Sequence, residues 1–219
     1  MNRNQIHRLG LATLVAFPWA PLSAQVIDEG VFSIRRSGTE IGREEFTIRS
    51  GRGPDGKTAG TTISAVARYP AINPTTTITA VLERSLNGRF TVLQLEYEAP
   101  GVSEQFLGAQ DRGRITIHRF SAEAREAREF PGGEGAYVMM DSVYAINQIL
   151  VDLATTAGVA ATVYRARDGT RHRISATLDG GQSVRLGGDV VATILLDPAG
   201  RIMRMEFPGA SVTTVRLND

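Results

Sequence analysis

The sequence predicts a mainly β protein, built as a large curved antiparallel sheet or half-barrel with one amphipathic helix. Three observations lead to this prediction: apolar and polar residues alternate with a period of two along most of the chain, turn-forming residues separate these stretches, and one segment has helical spacing. Alternation of this kind is typical of strands that bury one face and expose the other. Strands that follow one another without helices between them favour a meander.

The alternation is clearest in five stretches. Their apolar side chains stand at every second position: Phe32 and Ile34; Phe46 and Ile48; Ile78, Ala80 and Leu82; Leu93, Leu95 and Tyr97; Ile115 and Ile117. Between the third and fourth stretches, Asn87-Gly88 is the strongest hairpin signal, because both central residues of a type I′ turn need a positive φ. Ser37-Gly38 lies between the first two stretches and predicts a turn there.

The segment with helical spacing covers residues 141–154. Its apolar side chains recur three or four positions apart, at Val143, Ile146, Ile149, Leu150 and Leu153. Asp141 is predicted as the N-cap of this helix, and Gly158 follows its end. Packing against the sheet is the ordinary use of such an apolar stripe.

The first 24 residues have the three parts of a secretory signal peptide. Arg3 and Arg8 supply positive charge, an uncharged and mostly apolar run follows, and Ala24 is the small residue after which we expect cleavage. The apolar run, at about 14 residues, is shorter than the ~20 that span a bilayer. We therefore expect an exported protein, periplasmic or extracellular, with no membrane span after signal removal. The mature domain of residues 25–219 is then either one unit or two β subdomains that meet near residue 156.

Composition excludes several classes of function. The chain has no cysteine, which rules out disulfides and thiolate chemistry. His118 and His172 have no second ligand at metal-binding spacing, so we expect no metal and no cofactor. Removal of residues 1–24 takes away two arginines and no acid, leaving 22 basic and 23 acidic residues. This balance does not suit a nucleic-acid partner.

No arrangement of residues in the sequence predicts a catalytic site. A nucleophile elbow of the Gly-x-Ser-x-Gly type is missing. The adjacent acids Asp28-Glu29 and Glu44-Glu45 stand on predicted strands, where neighbours point to opposite faces, so neither pair is an acid–base couple. We expect these carboxylates to be solvated.

Two groups of residues are candidates for ligand contact. The first is apolar and consists of Ile78, Leu82, Leu93, Leu95, Tyr97, Met139 and Met140. Its strand members form a continuous stripe, and methionine adapts to irregular ligands. The alternative for both parts of this group is plain core packing.

The second group is basic and flanks the Asp168-Gly169 turn: Arg165, Arg167, Arg171 and Arg173. Strand alternation predicts that these side chains lie largely on one face of a hairpin. Arginine is well suited to phosphate and carboxylate groups, so the cluster is a candidate contact for an anionic group. The alternative is an ordinary solvated outer face.

Two motifs resemble a known group of proteins. Residues 30–34 (GVFSI) with residues 38–44 (GTEIGRE) are similar to the first hairpin of uncharacterised exported bacterial domains, and residues 196–204 (LDPAGRIMR) resemble their closing hairpin. Those domains are related in pattern to the outer-membrane lipoprotein carrier superfamily. The resemblance implies an incomplete antiparallel barrel that holds acyl chains. The carriers have more helices than the one predicted here, and no binding residue follows from the resemblance.

Three functions remain open on these observations. The first is a non-enzymatic envelope protein that binds or carries a lipid or another apolar ligand in a concave apolar site. The second is an envelope scaffold or accessory subunit that binds protein partners through strand edges. The third is a hydrolase with a dispersed site. An exposed apolar concavity favours the first, a flat apolar outer patch the second, and a buried polar cluster around His118 or His172 the third.

Overall fold

The structure is a computed structural model that describes residues 24–52, 58–156 and 160–217. The predicted signal peptide, apart from Ala24, lies outside the described residues. So do Gly158 and residues 53–57.

Fifteen strands and one α-helix make up the described part of the chain, which confirms the predicted mainly β fold. The strands are β1 (Gln25–Arg36), β2 (Thr39–Arg52), β3 (Thr58–Tyr69), β4 (Thr76–Arg84), β5 (Phe90–Ala99), β6 (Val102–Asp111), β7 (Arg114–Ser121), β8 (Arg125–Pro131), β9 (Ala136–Met139), β10 (Ala160–Arg165), β11 (Arg171–Asp179), β12 (Ser183–Gly188), β13 (Ala192–Leu196), β14 (Ile202–Phe207) and β15 (Val212–Leu217). The helix is α1 (Gln148–Thr156).

All fifteen strands belong to a single sheet, in the order β8-β7-β6-β5-β4-β3-β2-β1-β15-β14-β13-β12-β11-β10-β9. β9 and β10 run parallel, with α1 between them in sequence, and the other neighbouring pairs are antiparallel. The chain therefore forms two meanders joined by the pairing of β1 with β15. Strands on both sides of residue 156 belong to this sheet and share one hydrophobic core.

The sheet curls into an almost closed barrel, and its two ends overlap. Phe130 of β8 stacks on Tyr164 of β10, with ring centroids 4.7 Å apart. On β6, a Cβ built on Gly108 would lie 3.8 Å from Val138 of β9. The overlap explains why Tyr137 and Val138, which are neighbours on β9 and point to opposite faces, are both buried: β9 contacts β5, and Val138 lies close to Gly108 of β6.

Close backbone packing explains one glycine of the first hairpin. A Cβ on Gly42 would lie 2.4 Å from the carbonyl oxygen of Arg68 on β3, which is far inside contact distance. The glycine in the G-x-x-I-G motif is thus required by the approach of β2 to β3. Gly38, at the start of the same motif, has a φ of 84° in the β1–β2 turn, a conformation that glycine adopts at little cost.

The helix begins later than its sequence pattern predicts. Residues 141–144 are not helical, a short 3₁₀ turn covers Ala145–Asn147, and α1 follows it. Asp141 is not the N-cap, since its carboxylate accepts a hydrogen bond from Arg165 instead. The predicted apolar stripe does face the core: Val143, Ile146, Ile149 and Leu150 are buried, and Leu153 is partly buried. Among the described residues, no helix has the length and apolar character needed to cross a membrane.

Candidate functional site

A cavity of about 420 Å³ opens at one end of the curled sheet, beside the segment that leads into α1. Its lining comes from Arg36, Met139, Met140, Asp141, Ser142, Val143, Tyr144, Asn147, Leu150, Val163, Arg165, His172, Ile174, Val190, Phe207, Ala210 and Val212. Most of these side chains are apolar. A volume of this size lies within the range of small-molecule sites in proteins, toward its lower end.

The cavity has a buried base and a polar mouth. Leu150, Val163 and Ile174 line it and are almost fully buried, whereas Arg36 and Asp141 are exposed. A site of this shape offers an apolar chain a dry region at one end and water or charge at the other. It is therefore suited to an amphiphile rather than to a wholly polar ligand.

Alternation along the strands determines which side chains of β1 and β15 line the cavity. Phe32 and Ile34 of β1 point into the core and are fully buried, and Arg36 continues the same inward series at the end of the strand. Val212 of β15, which is paired with Arg36, lines the cavity beside it. The two-residue period of the strand thus places a charged side chain at the mouth of the cavity, where the apolar wall ends.

Arg165 is the most constrained charge at the mouth. Its guanidinium donates to Asp141 at 2.9 Å and also to both carboxylate oxygens of Asp168. The hydrogen bonds from Arg165 hold the pKa of Asp168 well below its usual range, and the hydrogen bond to Asp168 raises the pKa of Arg165. Arg165 therefore has its charge satisfied within the protein.

Arg36 and His172 differ from Arg165 in this respect. Within the described ranges, neither side chain has a hydrogen-bond or ion-pair partner, although both line the cavity. Ser142 and Asp141 line it too, and Ser142 has a positive φ of 71°. No hydrogen bond joins Ser142 to His172 in the described part of the chain.

A buried carboxylate supports the segment that forms the mouth. Glu44 of β2 is fully buried, and its two oxygens accept hydrogen bonds from the backbone N–H groups of Tyr144 and Ala145, each at 2.7 Å. Glu44 thus caps the 3₁₀ turn that leads into α1, in place of the predicted Asp141. Burial raises the pKa of Glu44 to about 7, despite these two hydrogen bonds.

Two tyrosines connect the same segment to the sheet. The Tyr69 hydroxyl on β3 donates to the carbonyl of Ser142 at 2.5 Å, and the ring of Tyr144 lies 5.7 Å from that of Phe207 on β14. Burial, followed by the charge of Glu44, raises the pKa of Tyr144 to about 12. Both hydroxyls therefore stay protonated at neutral pH and act as hydrogen-bonding groups only.

The predicted apolar candidates separate into two sets. Met139 and Met140 line the cavity, as a ligand-contact role requires. By contrast, the strand stripe lies in the core and does not contribute to the cavity lining: Ile78, Leu82, Leu93 and Leu95 are almost completely buried, and Tyr97 is partly buried. β9, which contacts β5, covers part of the stripe that a simple half-barrel would leave open.

The predicted basic face is not formed. Arg165 points toward the cavity, whereas Arg171 and Arg173 lie on the opposite face of the β10–β11 hairpin and are exposed. The reason is the register, in which Tyr164 pairs with Arg171. Paired residues share a face, so the odd-numbered residues of β10 point to one face of the hairpin and the odd-numbered residues of β11 point to the other. Arg167, in the turn, lies over the ring of Tyr97 at 4.9 Å from its centroid.

The sequence prediction missed Arg36 and wrongly expected Asp28 and Glu44 to be solvated. Asp28 is buried and forms an ion pair with Arg216 at 2.6 Å. Glu44 precedes Phe46 by two positions, on the face that the period-two pattern assigns to the core, so alternation alone could have shown its burial. Arg36 follows Ile34 by two positions, so alternation places its side chain on the same inward face. Among the described residues, no group of three or more potential ligands could hold a metal ion.

A scan against protein-family models finds no match to the chain, and a search of curated proteins finds none either. Among solved structures, the chain is similar to a DUF1089 family protein from Pseudomonas aeruginosa, with 13% sequence identity. That similarity covers 89% of this chain and 97% of the other, with a TM-score of 0.47.

Proposed function

We propose that this protein is a non-enzymatic envelope protein that binds a lipid or another apolar ligand in the cavity beside α1. The observation that carries the proposal is the cavity itself, with buried apolar walls and a mouth that opens to solvent. Well-formed apolar pockets with a few polar groups are the commonest form of a ligand site. The proposed export, which rests on the signal-peptide pattern of residues 1–24, would place the protein where lipids cross the envelope.

The methionines add to this proposal. Met139 ends β9, Met140 follows it, and both contribute side chains to the wall. An unbranched thioether adjusts its rotamers to ligands of irregular shape, which suits the binding of mixed acyl chains. The link to lipoprotein carriers is part of this same proposal, and the cavity is the feature that supports it.

Blocking the cavity should abolish binding. We expect Val190→Trp to weaken the binding of dansyl-undecanoic acid at least about tenfold, or about 1.4 kcal/mol, because Val190 is partly buried and lines the cavity. The measurement is fluorescence titration of the probe with the wild-type protein and with the variant.

Val191→Trp is the matched control. Val191 is the next residue and is 60% exposed, outside the cavity lining. The control should bind the probe like the wild type and should unfold at the same denaturant concentration. Absence of saturable binding by the wild type would contradict the proposed function and would favour a protein-binding scaffold.

A hydrolase is a second candidate, favoured by one observation. Asp141, Ser142 and His172 all line the same cavity, which brings a hydroxyl, an imidazole and a carboxylate near a bound ligand. Hydrolysis of a chromogenic ester that Ser142→Ala removes, with probe binding unchanged, would support this candidate. Equal background hydrolysis by the wild type and the variant would exclude Ser142 as a nucleophile.

A further inference from the structure

We propose that the natural ligand is a single-chain amphiphile with a carboxylate head group, and that Arg36 binds this carboxylate at the mouth of the cavity. The inference rests on the proposed function and specifies its ligand class. Arg36 occupies the last inward-facing position of β1, after the fully buried Phe32 and Ile34. A guanidinium at this position lies where the apolar wall ends and solvent begins.

The charges around the mouth single out Arg36. Arg165 forms ion pairs with Asp141 and Asp168, so its charge is balanced within the protein. Arg36 lines the same cavity, and in the part of the chain that the structure describes its guanidinium has no acidic partner. A guanidinium presents two parallel N–H donors to the two oxygens of a carboxylate, which makes this pair strong and directional.

The neighbouring polar groups fit a carboxylate with one negative charge. His172, which also lines the cavity, offers an additional ring N–H donor. Arg165, Asp141 and Asp168 together carry one net negative charge beside the mouth, which would repel a second negative charge on the ligand. One available cation and one nearby anion therefore favour a monoanion over a phosphate monoester.

The volume of the cavity sets the number of chains. At about 420 Å³, the cavity is near the lower end of the 300–1,000 Å³ or so that is usual for small-molecule sites. A single acyl chain fits this range, whereas the two chains of a phospholipid would need considerably more space. The ligand would insert its chain toward Leu150 and leave its head group beside Arg36.

Competition among ligands of equal chain length tests the head group. Laurate, dodecanol and dodecyl phosphate would each displace dansyl-undecanoic acid from the wild-type protein at about pH 7.5, where an ordinary carboxyl is ionised. We expect laurate to bind about tenfold or more tightly than dodecanol. Equal affinities of laurate and dodecanol would overturn the proposal, and tighter binding of dodecyl phosphate would overturn the choice of a carboxylate.

Variants of two adjacent arginines assign the effect to one residue. Arg36→Gln should weaken laurate about tenfold and leave dodecanol unchanged. Arg35→Gln removes the same charge from an exposed position outside the cavity lining and should change neither ligand. If Arg36→Gln weakened laurate and dodecanol equally, Arg36 would shape the site without binding the head group. If neither ligand displaced the probe and the probe itself did not bind, the proposed function would fail as well.

Discussion

We expect Ile149→Asp to lower the free energy of unfolding by about 4 kcal/mol or more, a large part of the stability of a typical domain. Ile149 stands on the buried side of α1, is 0% exposed and does not line the cavity. A carboxylate at this position would be enclosed by the curled sheet without a counter-charge. Chemical denaturation followed by circular dichroism would measure the loss.

Two further variants make this result interpretable. Ile149→Ala, which introduces no charge, should cost about 2–5 kcal/mol and remain folded enough to measure. Thr155→Asp adds the same charge on an exposed position of the same helix and should cost less than about 1 kcal/mol. An Ile149→Asp protein as stable as Thr155→Asp would show that α1 does not pack inside the sheet.

Glu44 should make stability depend on pH in the opposite sense to an ordinary salt-bridged carboxylate. Burial raises the pKa of Glu44 to about 7 in the folded protein, whereas in the unfolded chain the pKa is close to its ordinary value of 4.5. Between these values the folded state holds a proton that the unfolded state has released. Stability therefore falls as pH rises from about 4.5 to 7, by about 3 kcal/mol at 1.36 kcal/mol per pKa unit, and stays lower above that.

Comparison with Glu44→Gln isolates this contribution. Glutamine does not titrate, so the difference in unfolding free energy between wild type and Glu44→Gln should change by about 3 kcal/mol between about pH 4.5 and pH 8. Glu45→Gln is the control, because Glu45 is exposed and pairs with Arg68 across the strand. The carboxylates of lowered pKa, Glu40, Asp168 and Asp197, act below this window and cancel in the comparison. A constant difference would show that folding does not raise the pKa of Glu44.

The parts of the fold that local pattern determines could be predicted from the sequence. Alternation at Phe32 and Ile34 or at Leu93 and Leu95 gave strands with the correct inward face, since side-chain direction follows position along a strand. Asn87-Gly88 does lie in the turn between β4 and β5, but only Gly88 has a positive φ. The turn is therefore not of the predicted type I′, and the Gly88 N–H donates to the carbonyl of Ser85. The apolar stripe of α1 was recognised, as the strands were, from side-chain spacing.

Features that depend on distant parts of the chain could not be predicted in this way. The start of the helical segment is set by Glu44, about a hundred positions away from Tyr144, and no local rule connects the two. The face on which Arg165 lies depends on the register across the β10–β11 turn. The Leu93 stripe is covered because the ends of the sheet overlap, which is a property of the whole curl. Met139 and Met140 line the cavity because they directly precede residues 141–144, which form part of its mouth.

Native mass spectrometry of the protein purified from its own cells tests the ligand-binding account most directly. We expect the mature wild-type protein to carry an additional, non-covalent mass that is released on unfolding and corresponds to a single-chain lipid. Val190→Trp should lack this mass, and Val191→Trp should retain it. A wild-type protein that is consistently free of any bound small molecule, and that takes up no lipid when lipid is added, would contradict the account.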